Sequence, residues 1–423
     1  MLGIVPFTWS GPRTSVRRNP GCPQAPRHAR GVMSFAGFLR STLVLGALAL
    51  AGCAAPVAGP GAGGGAVDPE QPVRVALLVP LGSTDSQREA LGQSLVNAAQ
   101  MARADLQNVD LELSVYATAG EAAAAENAAR TALEEGADVV LGPLFSAATA
   151  QVAPLAAAQG LTVLSLSNTP DVAGGNVYIL GNTFESTARR VVGHAAANGL
   201  LDLAVVYPQG PEGQLARNAV AQAAQAAGAR LVAEASYPLS VQGITDATPA
   251  IAQRLRASAA NAVVLTDGPT GGLSFVAETL RGLGVRPAAA RFVGLQRWDT
   301  SAQAMAQPGL AGGWFAAPDQ ALSAQFESRY EQRFGQPPHP LSGLAYDGIA
   351  AIGALVAEAR AEGRSDAFAP ARLAQPSGFA GVMGIFRFLP NGRNERALAV
   401  YEVVDGVAQQ ISPAPRSFAA SGS

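Results

Sequence analysis

The sequence predicts an α/β fold built as two doubly wound, parallel-sheet lobes. Three observations lead there. Short, unbroken apolar runs such as Val73–Val79, Val139–Leu141 and Ala262–Leu265 lack the alternation of a half-solvated strand, so they read as strands buried on both faces. Between them lie helix-period segments joined by short connections, the pattern of βαβ units. The pattern then restarts after Leu180, so one round of βαβαβα is followed by a second.

Composition bounds the function. The chain has 423 residues, 48 % apolar and 14 % charged, ample for a packed core in two or three lobes. Every basic residue is arginine, which excludes a Walker-type phosphate lysine, a Schiff-base lysine and a Ser-Lys dyad. The net charge of −2 hides a division. Six arginines and no acid precede Cys53, so the remainder is more acidic than the whole. An acidic body without a basic stripe argues against nucleic acid as a partner.

The N-terminal residues 1–52 read as an extension and a secretory signal. Arg40 is followed by the apolar run Ser41–Gly52, too short for the ~20 apolar residues that span a bilayer. Met33 is the expected initiator, because the Pro- and Arg-rich segment before it does not look like a signal start. Leu50-Ala51-Gly52-Cys53 resembles the lipobox of bacterial lipoproteins, which implies cleavage before Cys53 and a diacylglycerol on its thiol. Ala54 after the cysteine implies sorting to the outer membrane. The alternative is a buried cysteine in an apolar helix. Residues 53–72 are Gly, Ala and Pro with few bulky side chains, a flexible tether of about 25 Å end to end. The expected location is therefore the periplasm, held to a membrane by lipid.

The elements then follow in order. Val73–Val79 is a strand stopped by Pro80 and Gly82, and Gln87–Leu106 is a helix with Leu91, Leu95, Ala98 and Ala102 on one stripe. Leu111–Tyr116 is a strand and Glu121–Glu135 a helix ended by Gly136. Asp138–Leu141 is a strand closed by Gly142-Pro143, with Ser146 in position to cap the next helix, which runs to about Gln159. Such a turn, at the carboxyl edge of a strand and a helix N-terminus, offers amides and a hydroxyl to an anionic oxygen. Any capped helix after a buried strand has the same appearance. Thr162–Ser165 is a strand leading into Ser167-Asn168-Thr169-Pro170, and Val177–Leu180 is extended. In the second round, helices are expected at 189–198, 214–227, 249–259 and 275–283, with strands at 203–207, 231–235, 262–265 and 292–294. Two consecutive helices follow, Gln320–Phe334 and Leu344–Ala361. Asn391-Gly392 between Gly384–Phe388 and Ala397–Tyr401 signals a hairpin.

Asp138–Ser146, Ser167–Pro170, Ala345-Tyr346-Asp347 and Gly378-Phe379-Ala380-Gly381 fall in the order seen in leucine/isoleucine/valine-binding-protein-like chains, and the resemblance covers Val73 to about Ile411. It implies the type I periplasmic-binding-protein fold: two lobes, three crossing strands, a hinge and an interlobe cleft. One lobe would hold 73–180 plus 318–380, the other 182–316 plus 385–410, with 411–423 as a tail. Within that family the chain is similar to the lipid-anchored penicillin-binding protein activators. These share the lipobox, the Gly-Pro-Leu-Phe-Ser turn, Leu91-Gly92-Gln93 and Gly378–Gly381, and are held to stimulate peptidoglycan synthases by contact.

The resemblance carries a candidate ligand set: Ser146, Ser167, Asn168, Thr169, Tyr207, Asp267 and Gln296. Ser146 and nearby amides would take a ligand carboxylate. Asn168, with Thr169 beside it, stands where a threonine hydroxyl is usual. Gln296 stands where an acidic residue normally meets the ligand ammonium, and Pro211 and Pro269 lie where pocket aromatics are expected. Losing a charge-assisted bond removes roughly 1.5–3 kcal/mol, one to two decades of affinity. Asp267 could substitute for it.

Enzymatic readings do poorly. His194 lies in a helix and His339 between prolines, neither with metal-ligand spacing, so no metal or cofactor is expected. There is no Gly-x-Ser-x-Gly and no free cysteine nucleophile after lipidation. Two non-catalytic readings remain: an activator docking on a peptidoglycan synthase, which the anchor and Gln296 favour, and a solute-binding partner of an ABC permease for branched-chain or related amino acids. Arg297-Trp298 and Trp314-Phe315 are either interface anchors or wall packing, and packing is the commoner fate.

Overall fold

A computed structural model describes residues 67–418 apart from 69, 287 and 288. The expected signal, Cys53 lipidation and most of the tether lie outside the described residues. Among the described residues no helix is long and apolar enough to cross a membrane.

In the first lobe, strands β1 (Val73–Val79), β2 (Leu111–Ala117), β3 (Val139–Leu141), β4 (Val163–Ser165) and β5 (Val177–Ile179) form an all-parallel sheet in the order β2-β1-β3-β4-β5. Helices α1 (Ser86–Asp105), α2 (Ala122–Glu134) and α3 (Ser146–Ala158) connect them. The runs that lacked alternation are indeed covered on both sides: Leu77 and Leu141 face one apolar cluster, Leu78 and Val140 the other. In the second lobe, β6 (Asp202–Pro208), β7 (Arg230–Tyr237), β8 (Ala262–Leu265), β9 (Arg291–Gly294) and β10 (Trp314–Ala317) repeat the same order, β7-β6-β8-β9-β10. Its helices are α4 (Phe184–Ala197), α5 (Pro211–Ala226), α6 (Val241–Ala257), α7 (Leu273–Gly282) and the short α8 (Ala302–Met305).

The two late helices, α9 (Gln320–Phe334) and α10 (Gly343–Ala361), return to the first lobe, where Ile349, Ile352 and Leu355 enter its core. After the one-turn α11 (Pro370–Leu373), the last strands divide differently from expectation. β11 (Phe379–Gly381), β12 (Gly384–Phe388) and β13 (Asn394–Arg396) form a small antiparallel sheet. Asn391-Gly392 therefore joins β12 to β13 and not to the segment after Ala397. Phe379, Met383, Phe386 and Phe388 pack into the first lobe's core, so residues 385–396 belong with the first lobe. Only β14 (Ala399–Val404) and β15 (Val407–Ser412) extend the second sheet, β14 antiparallel to β10. A period-2 strand signal locates a strand but does not name its partner.

Two helix starts also move. α4 begins at Phe184 because the Thr183 hydroxyl accepts the Ser186 amide, and α6 begins at Val241 because Ser240 accepts the Gly243 amide. Pro249 lies inside α6 and does not start it.

The chain thus passes between lobes three times, after β5, after β10 and after β13. The first and third passages are tied by buried polar groups. Asn394 Nδ2 donates to the Ile179 and Gly181 carbonyls at 2.7 and 2.9 Å. Arg396 Nε donates to the Leu180 carbonyl at 3.1 Å, and its Nη1 meets Asp347 Oδ2 at 2.7 Å with both side chains wholly buried. Asp347 also accepts the Val382 amide at 2.8 Å. This explains two of the family-like motifs together: a Cβ at Gly381 would come within 2.2 Å of Asp347 Oδ1, so the Gly378–Gly381 turn must be bare where it covers Asp347. The second passage is held by Tyr401, whose hydroxyl donates to the Pro318 carbonyl and accepts from the Gln320 amide.

Breaking a buried pair strands a charge, at a cost of about 3–5 kcal/mol. Arg396→Ala is therefore expected to lose that much in urea denaturation, whereas replacing Asp347 and Arg396 together by apolar residues should lose clearly less. An equal loss for the single and double variants would contradict the pair's role.

His194 meets Trp314 edge-on, ring centres 4.9 Å apart. Burial, then the nearby Arg190, hold its pKa below the ordinary value, and burial does the same for His339. The folded chain then binds fewer protons than the unfolded one below about pH 6.5, so stability falls as the medium is acidified through that range. His194→Gln should flatten that slope in thermal unfolding between pH 7 and 5; an unchanged slope would exclude His194 as its source.

Candidate functional site

Because both sheets have the order 2-1-3-4-5, their strand order reverses beside the first strand, and the loops after the carboxyl ends of the strands open there into a crevice. Those loops from both lobes line one interlobe cavity of about 370 Å³, within the size range of small-molecule sites.

The first lobe contributes an apolar wall. Leu91 comes from α1, Leu144 and Phe145 from the turn after β3, Leu166 from the end of β4, Leu341 from just before α10 and Leu344 from its first turn. The turn is shaped locally. Gly142 has φ +94°, and a Cβ there would sit 2.2 Å from the Leu78 carbonyl oxygen. Ser165 Oγ donates to the Pro143 carbonyl at 3.0 Å, and the Leu166 amide donates to the same oxygen at 3.0 Å. The Arg88 guanidinium lies 5.7 Å from the Phe145 ring centre. The second lobe supplies most of the polar side chains, Glu212 in the first turn of α5, Thr270 after β8, and Gln296, Arg297 and Thr300 after β9, beside the apolar Phe184, Leu295 and Ala316.

The expected ligand residues separate on this geometry. Asn168 and Gln296 line the cavity. Gln296 Nε2 donates to the Thr266 carbonyl at 3.1 Å, which fixes its amide across the strand ends. Ser146 is the first residue of α3, half-buried, while Phe145 occupies the cap position and lines the cavity in its place. Ser167 is buried, and its Oγ accepts the Thr169 amide at 3.1 Å, so this pair shapes the loop that carries Asn168. Tyr207 is half-buried and lies outside the lining residues.

Asp267 is committed elsewhere. Its carboxylate accepts from the Tyr237 hydroxyl at 2.9 Å and from the Gly268 and Gly272 amides at 2.8 and 2.5 Å. Burial and then the Asp267 charge push the Tyr237 hydroxyl well above its usual pKa, so it stays a donor. Held by three donors, Asp267 organises the loop before α7, and it is not among the residues that line the cavity.

The tryptophans are likewise packing residues. Trp298 is wholly buried with its ring centre 5.6 Å from Phe315, and Trp314 is buried under Arg291, whose guanidinium is 4.7 Å from the ring centre. Neither offers a surface to a partner. Arg297 does reach the cavity. Burial opposes its charge, but Asp299 outweighs burial and holds the guanidinium above its ordinary pKa; the Nε–Oδ1 and Nη2–Oδ2 contacts are 3.0 and 2.8 Å. Glu212, Thr270, Thr300 and Phe184 escaped sequence reasoning, because nothing in their spacing distinguishes them from ordinary surface positions. Among the described residues no group of three or more His, Cys, Asp and Glu side chains could hold a metal ion.

Two hinged lobes with a crevice at the carboxyl ends of both sheets define a bilobal binding protein. The chain belongs to the periplasmic binding protein family, whose profile matches residues 72–408. A comparison with curated protein sequences finds no match. Among solved structures, the chain is similar to a branched-chain amino acid ABC transporter periplasmic ligand-binding protein from Burkholderia xenovorans, with 16 % identity over 80 % of this chain and 94 % of that one and a TM-score of 0.64. An ABC transporter substrate-binding protein from Desulfitobacterium hafniense, in complex with Leu, aligns with 19 % identity, 81 % and 100 % coverage and a TM-score of 0.60. A solute-binding protein of an ABC transporter from Rhodopseudomonas palustris, in complex with 3,4-dihydroxybenzoic acid, aligns with 17 % identity, 81 % and 96 % coverage and a TM-score of 0.58. At these identities the likeness is one of fold.

Asp267→Ala would leave the Tyr237 hydroxyl and two amides without an acceptor, each costing about 1–3 kcal/mol. A drop of at least about 2 kcal/mol in denaturant unfolding is expected; a near-neutral result would mean that Asp267 is free for a ligand after all.

Proposed function

We propose that this chain is a non-catalytic binding protein of the periplasm whose interlobe cleft closes on a small ligand with an apolar body. One observation carries the reading: the cavity between the lobes is lined mostly by apolar side chains with a few neutral and charged polar groups among them, the usual composition of a small-molecule site. The similar solved structures named above include a complex with leucine and one with an aromatic acid, which supports a solute-binding role beside an ABC permease.

A second reading is an activator of peptidoglycan synthases, lipid-anchored at Cys53. The engagement of Asp267 favours it, since an importer component for amino acids needs a free carboxylate for the ammonium, together with the resemblance at Gly142–Ser146 and Gly378–Gly381. On that reading the docking surface lies elsewhere than Trp298 and Trp314.

Thermal-shift and calorimetric titration of the purified protein against branched-chain amino acids, aromatic acids and muropeptides separate the two. A ligand at a hundred times its Kd should add about 2.7 kcal/mol of stability and raise Tm. No shift across the panel, with capture of a purified peptidoglycan synthase, would overturn the solute reading in favour of the activator.

A further inference from the structure

The charge arrangement of the cleft selects among ligands, and the inference rests on the proposed role of that cleft as a ligand site. Arg297 and Glu212 are the only charged side chains among the lining residues. Arg297 pairs with Asp299 side-on, through Nε and one edge of Nη2. A guanidinium has five N–H groups in a planar fork, so this leaves the Nη1 hydrogens and the second Nη2 hydrogen. Among the described residues Nη1 makes no hydrogen bond, and the side chain is 26 % exposed. The free edge is the end-on fork, whose spacing matches a carboxylate. Arg297 also lines a second, adjoining cavity of about 180 Å³, so its guanidinium stands in the wall between the two.

No buried carboxylate lines the cavity to receive an ammonium. Asp267 accepts from Tyr237, Gly268 and Gly272 and is not among the residues that line the cavity. Glu212 is exposed and sits in the first turn of α5, where the helix amides already stabilise its charge. A ligand cation entering this cleft would lose its water without a buried counter-charge.

We infer that the cleft takes an organic monoanion that lacks an ammonium group, its carboxylate held by the end-on edge of Arg297 beside Gln296 and Thr300, and its apolar body lying against Leu91, Leu144, Phe145, Leu166 and Leu344. The anion then rests on the second lobe and not on the turn before α3.

A matched series tests this. 4-Methylpentanoate, leucine and isopentylamine share one alkyl body and differ only in charge, and benzoate adds an aromatic body. In calorimetric titration of the full-length protein, a carboxylate without the ammonium should bind at least tenfold more tightly than leucine, with isopentylamine weakest. Arg297→Gln should lose at least tenfold for the carboxylates. Because that change also strands Asp299, Asp299→Asn and Glu212→Gln are read beside it. Both keep Arg297 and remove a competing or repelling carboxylate, so both should tighten carboxylate binding several-fold. A merely structural Arg297–Asp299 pair would give no such gain. Leucine or isopentylamine binding tighter than 4-methylpentanoate would overturn the inference while leaving the cleft a ligand site. Absence of binding by every member of the series and by muropeptides would defeat the ligand-site reading itself.

Discussion

The buried Asp347–Arg396 pair is the constraint on which the rest of the structure depends. Asp347 stands on a helix of the first lobe, and Arg396 ends the last strand before the chain leaves that lobe for good. Neither charge sees water, so each needs the other, and Arg396 spends a second donor on the Leu180 carbonyl where the chain first crosses. Two of the three crossings are thus fastened at one point by groups that cannot be separated cheaply. The pair does more to specify position than to stabilise: apolar residues could fill the volume, but they would not index Leu180 to Arg396.

That fixed point ties the two lobes together, and the strand order that both sheets share over five strands brings the carboxyl ends of both to the same crevice. The two lobes contribute unequally to the chemistry of the crevice. Leucines and a phenylalanine form one wall, while Gln296, Arg297 and Thr300 stand on the other. An amino acid needs opposite charges answered at both ends. Here the carboxylate best placed by sequence for an ammonium, Asp267, has been drawn into its own loop, and the cation that faces the space is Arg297.

Much of the fold was legible in the sequence because its signals are local. Unbroken apolar runs marked strands buried on both faces, and Gly-Pro and Asn-Gly marked turns. The errors have physical causes. Pro249 suggested a helix start, but the Ser240 cap lies nine residues earlier and the packing of Ile244 and Ile251 carries the helix through the proline. β12 and β13 fall in the first lobe and not the second because pairing is a tertiary choice, made by Phe386 and Phe388 entering the first core, while β14 and β15 join the second sheet. In the site, Asn168 and Gln296 come from the family resemblance, and both line the cavity. Arg297 stands beside Trp298 in a pair that reads as an interface anchor or wall packing, yet it is the arginine that reaches the cavity. Leu341 and Leu344 arrive from nearly two hundred residues beyond Leu144, a meeting that no local pattern announces.

The most direct measurement is a crystal structure of the protein with 4-methylpentanoate or benzoate. The account places the carboxylate about 3 Å from the Arg297 guanidinium, with the apolar body against Leu144 and Phe145. A carboxylate seated instead on the Ser146 hydroxyl and the amides of the turn before it would contradict it.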